Sequence, residues 1–271
     1  MHTYVSLRKD LENLGIPQDG TLLIHSSMKS IGDVEGRADT VLDVFMDYFQ
    51  EAGLLVFPTL TWSNVNADQP VFNVRETPSV VGILPQLFRQ RPGVIRSLHP
   101  THSLAAWGRE AAAFTEGHER FDSPACEFSP WRRLVGYKAQ ILFLGASIAH
   151  NTFLHGVEEW GHAANVLTEE KQNLVSIDYD GKAHAVPSRR HRGNHSNFYD
   201  RMEPHFRRIG ALREGRFGDA HCIILDAPKI AYYTMEMLAK YPAAFNKEWL
   251  EEHPRFFEEY QGFYISRMLE A

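Results

Sequence analysis

The chain has 271 residues, of which 44% are hydrophobic and 23% charged, and its formal net charge is −6. That composition is an ordinary globular one, sufficient for one large domain or two small ones. Basic residues are dispersed apart from Arg189-Arg190-His191-Arg192, which argues against a nucleic-acid partner, and no run approaches the roughly 18–20 apolar residues of a membrane helix.

In chain order, residues 3–14 place Tyr4, Leu7, Leu11 and Leu14 at helical spacing, closed by Gly15-Ile-Pro17. Thr21–His25 reads as a short buried strand running into the polar loop Ser26–Gly32. Residues 38–51 form an amphipathic helix, and Gly53–Phe57 the next strand, stopped by Pro58. Strand, helix and strand in that order predict a βαβ unit and a parallel or mixed sheet. Residues 59–78 have no clear period and read as a long, functional loop. A helix over 80–90, a strand over 140–145 and a helix over 152–164 follow. Asp180-Gly181 between two alternating runs predicts a hairpin over 174–186. A strand at Cys222–Leu225, a helix over 228–240 and helical aromatic spacing over 255–269 complete the reading. With no repeat or Gly/Ser linker, residues 1–271 are expected to form a single α/β domain, with a central mixed sheet flanked by helices. The start Met1–Asp10 has no apolar core behind a basic stretch. Cys126 and Cys222 read as reduced thiols, so a cytoplasmic setting is expected.

Four segments carry candidate chemistry. His25-Ser26-Ser27-Met28-Lys29-Ser30 follows a strand and precedes a helix, a place where backbone N–H groups and hydroxyls can cradle a ligand. Pro92–Ser103 combines Arg96, Ser97, His99, His102 and Ser103 in a stretch too polar and proline-punctuated to be core. Its arginine suits a phosphate, and its histidines suit proton transfer or a metal. In Thr152–Glu159 a helix places Glu158 and Glu159 three and four residues beyond His155, so a carboxylate orients the imidazole as a general base. The rival reading there is a metal shared by His and Glu; no second His-x-x-Glu and no Cys-x-x-Cys supports it, and no metal is expected. The cluster from His184 to His195 reads as a solvated charged face, with a lid or substrate-contacting loop as the alternative. A serine-hydrolase elbow is missing, since Gly145-Ala-Ser-Ile-Ala149 lacks the second glycine.

Taken together, His25–Gly32, Phe57–Thr61, Pro92–Ser103, Ser129-Pro130, Leu144-Gly145 and Thr152–His155 resemble the aminoglycoside 3-N-acetyltransferase family, with a weaker match through Phe206–Gly210 and Gly218–Ala227. The resemblance implies a fold distinct from the GNAT acetyltransferases and acetyl-coenzyme A as donor. It implies transfer to the 3-amino group of an aminoglycoside, a small-molecule amine acceptor, without a membrane partner and in a monomer or homodimer. By the same resemblance, His25, Ser26, Ser27, Met28 and Ser30 would hold the cofactor, with Arg96, Ser97 and Ser103 near the acetyl group and Ser103 at the oxyanion. His155 would be the base, with Glu158 or Asp200 as its acidic partner. The basic stretch Pro187–Ser196 keeps a non-drug amine open as the acceptor, and a non-catalytic coenzyme A-binding protein is the remaining alternative.

Overall fold

The computed structural model describes residues 1–50, 52–192 and 194–262. Its strands are β1 (Thr21–Ser26), β2 (Leu54–Pro58), β3 (Val71–Asn73), β4 (Ile95–Arg96), β5 (Leu104–Gly108), β6 (Gln140–Leu144), β7 (Gln172–Ile177), β8 (Ala183–Ser188), β9 (Leu212–Phe217) and β10 (Ala220–Asp226). The helices are α1 (Tyr4–Asn13), α2 (Arg37–Phe49), α3 (Ile83–Phe88), α4 (Ala111–Thr115), α5 (Pro130–Gly136), α6 (Thr152–Trp160), α7 (Glu203–Arg208), α8 (Ala227–Lys240), α9 (Lys247–Glu252) and α10 (Phe256–Glu259).

Seven strands form one sheet in the order β4-β5-β2-β1-β6-β10-β9. β1 pairs in parallel with β2 and with β6, whereas β5, β4, β10 and β9 join antiparallel. The expected mixed sheet is therefore present. Its central strands are apolar at nearly every position because both faces are covered. Leu22, Ile24, Leu55, Phe57, Leu142 and Leu144 pack with α1 and α2. Leu23, Leu54, Val56, Ile141 and Phe143, on the alternate positions, pack with α5, α6 and α8.

Local chemistry sets the helix ends. Thr3 and Ser6 form a reciprocal capping box at α1, and the Asp226 side chain accepts from Lys229 N at α8. The helix expected over 152–164 stops at Trp160, followed by Gly161 and by His162 in the left-handed region at φ 54°.

The stretch 59–78 is not a plain loop. It contains β3, which pairs with β7 in a second, three-stranded sheet ordered β3-β7-β8. The hairpin β7–β8 is as expected, and only Gly181 of its Asp-Gly pair has positive φ, at 80°. Of the helical spacing over 255–269, α10 is the described part; residues 263–269 lie outside the described residues. Both cysteines are free.

Candidate active site

The parallel strands β1, β2 and β6 end at the same edge of the sheet, and a cleft of about 620 Å³ opens there. Ligands collect at the carboxyl ends of strands in such sheets. His25, Ser26 and Ser27 line it at the end of β1, Pro58, Leu60 and Trp62 at and beyond the end of β2, and Gly145, Ser147, His150, Thr152 and His155 after β6. The two central walls are tied together: Ser27 N donates to Leu144 O at 2.9 Å, and Ser30 Oγ donates to Gly145 O at 3.1 Å.

His155 sits on the first turns of α6 with Nδ1 turned away from the cleft. Nδ1 lies 3.0 Å from Glu158 Oε2 and 2.7 Å from Tyr199 Oη. Tyr199 Oη donates to the same Glu158 oxygen at 2.6 Å, and His195 Nδ1 meets the other, Oε1, at 2.8 Å. Glu158 is fully buried. Burial alone would raise its carboxyl, but the hydrogen bonds from His155 and His195 outweigh burial and hold it down at about 2. Burial also pushes the His155 imidazole below its ordinary value, against the pull of Glu158. The two shifts agree on one state, a neutral imidazole beside a carboxylate. Because the carboxylate can only accept, the ring proton is on Nδ1, and Nε2 carries the free lone pair. Nε2 has no hydrogen-bond partner among the described residues, and His155 lines the cleft.

Glu159, the other carboxylate within reach in sequence, turns elsewhere. It accepts from Ser123 Oγ at 2.5 Å and Ala125 N at 3.0 Å, and meets His191 Nε2 at 2.7 Å. The His191 ring stacks on His155 at 4.6 Å and 19°, and its edge meets the His102 ring at 5.0 Å. Thus His191 and His195 point inward, and the reading of 184–195 as a solvated face fails for both. Tyr199 was not singled out by sequence reasoning, and His191 and His195 entered it only as members of the 184–195 cluster, without a role of their own. Their signal is weak, since they lie outside regular periodic elements and 36 to 44 residues beyond His155.

Asp200 is not a partner of His155. Its carboxylate accepts from Ser147 Oγ at 2.8 Å and from Ala149 N at 3.0 Å, bracing the 145–150 turn at the cleft rim.

The segment 92–103 is the largest correction. Arg96, Ser97, His99, Thr101, His102 and Ser103 are all buried. Polar groups can lie in a core when their donors are matched, and those of Arg96, Ser97 and Ser103 are. Arg96 Nη2 donates to Thr59 O, Nη1 to Thr77 O, and Nε to Ser103 Oγ, with the guanidinium 4.7 Å above the Phe72 ring. Ser97 Oγ bonds His118 Nδ1, and Ser103 Oγ donates to Thr59 O. Arg96 therefore ties the β3 segment to the seven-stranded sheet, Ser97 and Ser103 brace β4 and β5 within that sheet, and none of the three lines the cleft. Within the segment, His102 does line it. Met28 and Ser30 also stand behind the cleft wall, Met28 against the α1–α2 core. Ser26 Oγ and His25 Nε2, in the cleft wall, are buried polar atoms without a partner among the described residues. His25 stacks on Phe143 at 4.9 Å, and burial, with a smaller push from His150, lowers it to about 3. No group of three or more His, Cys, Asp or Glu among the described residues is placed to hold a metal, and no described helix is long and apolar enough to cross a membrane.

A family profile described as aminoglycoside 3-N-acetyltransferase matches residues 23–239. The chain is 33% identical over 193 residues to aminoglycoside N(3)-acetyltransferase VII of Streptomyces paromomycinus, covering 65% of this chain and 67% of the relative. Among solved structures, aminoglycoside acetyltransferase AAC(3)-Xa superposes with a TM-score of 0.78 at 26% identity, covering 91% of this chain and 94% of that one. AAC-IIIb in a binary complex with CoASH superposes with a TM-score of 0.72 at 23% identity, covering 93% and 97%.

Proposed function

Since the chain belongs to the aminoglycoside 3-N-acetyltransferase family, we propose that it moves an acetyl group from acetyl-coenzyme A to a primary amine. It is a transferase, and residues 1–271 act in this reading as one domain. The observation that carries the proposal is the His155 imidazole anchored through Nδ1 on buried Glu158, with the ring lining the cleft.

The acceptor amine must lose a proton as its nitrogen attacks the thioester carbonyl. His155 Nε2 takes that proton, which makes an imidazolium next to an existing carboxylate; the charge develops where Glu158 already waits to balance it. Tyr199 fixes the carboxylate and shares the Nδ1 contact, so the ring does not swing. Donor and acceptor held in one cleft supply the positional part of the rate, and no acyl-enzyme is needed. The cofactor end is assigned to the Ser26–Ser27 turn, whose residues line the cleft at the carboxyl end of β1.

The names of the relatives make the 3-amino group of an aminoglycoside the first acceptor to test. One observation favours a second reading, a non-drug amine: the described lining residues include no Asp or Glu, whereas a polycation is best held by carboxylates. The Arg190 guanidinium meanwhile reaches Trp62 O beside the cleft. The deciding assay is thiol release from acetyl-coenzyme A over a panel of aminoglycosides and simpler amines, with His155→Ala alongside. Turnover lost in His155→Ala, with coenzyme A affinity within a few-fold, supports the base. Near-normal turnover in that variant removes it. Silence on every aminoglycoside, with coenzyme A still bound, assigns the acceptor to other amines.

A further inference from the structure

The cleft presents a second imidazole whose proton is placed opposite to that of His155. His102 packs edge-on to the His191 ring at 5.0 Å, the same ring that stacks on His155 at 4.6 Å, and both His102 and His155 line the cleft. The tautomer of His102 follows from its neighbours. Backbone N–H groups of Thr101 and His102 both donate to His99 Nδ1, at 3.3 and 3.1 Å, so that nitrogen is an acceptor already served twice. The Thr101 hydroxyl has one proton and two imidazole neighbours, His102 Nδ1 at 2.8 Å and His99 Nδ1 at 3.4 Å. The shorter contact takes it. Thr101 Oγ1 therefore donates to His102 Nδ1, and a neutral ring so engaged has its own proton on Nε2.

We propose that His102 is an oxyanion-hole donor of this transferase, its Nε2–H hydrogen-bonding to the thioester oxygen on which negative charge develops. Nε2 has no partner among the described residues. The ring stays neutral because it is buried, with further pushes from the His191, His99, His155 and His118 rings. A neutral donor does not lose its proton to the oxyanion, and its position is fixed beforehand by Trp131 Nε1 donating to His102 O at 3.0 Å. This role replaces the one expected of Ser103, whose hydroxyl is committed to Thr59 O.

The inference rests on the acetyl-transfer reading. The amine nitrogen forms a bond to the carbonyl carbon, the carbonyl π pair moves to oxygen, and the amine proton passes to His155 Nε2. The oxyanion then re-forms the carbonyl as the C–S bond breaks, and the thiolate takes the proton from the His155 imidazolium. His102 donates a hydrogen bond throughout and transfers no proton.

The test is the infrared carbonyl stretch of acetyl-coenzyme A, labelled with ¹³C at the carbonyl and bound without acceptor. In the unaltered enzyme it moves to lower frequency than in solution. His102→Ala returns it to the solution position and lowers kcat by about 10²–10³-fold, while acetyl-coenzyme A affinity stays within a few-fold. His102→Gln, with an amide N–H in similar reach, restores part of both effects. A carbonyl unshifted in the unaltered enzyme overturns the inference without need of any variant, as does kcat within a few-fold of normal in His102→Ala. His155→Ala separates the two assignments: it stops transfer and leaves the carbonyl shift in place. If it instead leaves transfer intact while the carbonyl is shifted and His102→Ala is slow, the base assignment falls and the donor stands.

Discussion

Acid should unfold this protein through its histidines rather than its carboxylates. His25, His99, His102 and His118 are buried, and burial lowers each, to about 3 for His25 and His118 and well below the usual value for His99 and His102. In the unfolded chain each titrates near 6.5. As pH falls below that value, the unfolded chain gains a proton per histidine while the folded chain gains none. Their contribution is therefore fully present above about pH 6.5 and is lost progressively below it. Each unit of pH costs about 1.4 kcal/mol per residue, so at about pH 5 each has lost about 2 kcal/mol. For His25 and His118 together that is about 4 kcal/mol, a large share of the whole stability of a typical domain, about 5–15 kcal/mol, and His99 and His102 add to it in the same direction. His155, also lowered by burial, acts in the same direction. Glu158 does not oppose them there, because its carboxylate, held at about 2, loses stability only below the ordinary carboxyl range. Urea titrations followed by tryptophan fluorescence between about pH 7.5 and 5 measure this directly. His118→Gln should recover about 2 kcal/mol of the difference. A stability that changes by less than about 2 kcal/mol over that interval would refute the buried, neutral histidines.

Two further outcomes concern the base and the donor loop. In Glu158→Gln the buried negative charge is gone, and an amide N–H turned toward His155 Nδ1 would force the ring proton onto Nε2, the wrong tautomer. Turnover should fall by about 10²–10⁴-fold with coenzyme A binding kept, and a loss under tenfold would show that orientation by Glu158 is dispensable. Gly145 has φ 62°, and a Cβ there would lie 2.3 Å from Ser30 Cβ. Gly145→Ala should therefore weaken acetyl-coenzyme A binding as the two walls part, whereas Gly210→Ala, at φ 64° with no described residue within 4 Å, should cost about 1–2 kcal/mol of strain and leave binding alone. Equal binding in the two variants would count against a tight β1–β6 junction as the donor seat.

Much of the frame was legible because its elements are long and strongly periodic. α1, α2, α8, the three central strands and the β7–β8 hairpin all fall where apolar spacing and turn residues put them. The pair His155 and Glu158 was legible too, since their contact is local, one helical turn apart. What escaped depends on distant partners. Arg96 reads as a free cation until Thr59, Thr77 and Phe72 surround it, and β3 reads as loop because its three residues pair with a strand a hundred positions later. His191, His195 and Tyr199 sit among arginines and asparagines whose polarity suggests solvent. Only the tertiary fold turns those three rings inward, onto Glu159, Glu158 and His155.

The division of strands between two sheets separates what the protein must keep from what it can vary. The proposed proton acceptor, His155, and the proposed donor loop at Ser26–Ser27 hang from the seven-stranded sheet. Trp62, Val80 and Val81 reach the cleft from a stretch that β3 fastens to the β7–β8 hairpin, around a small core of Val65, Phe72, Val74 and Leu174. Grafting a different hairpin, with its matching β3, would recut one wall of the cleft and leave His155, Glu158 and the Ser26–Ser27 turn where they are. Such a graft is expected to change which acceptor amine is taken while the chemistry proposed for His155 is kept.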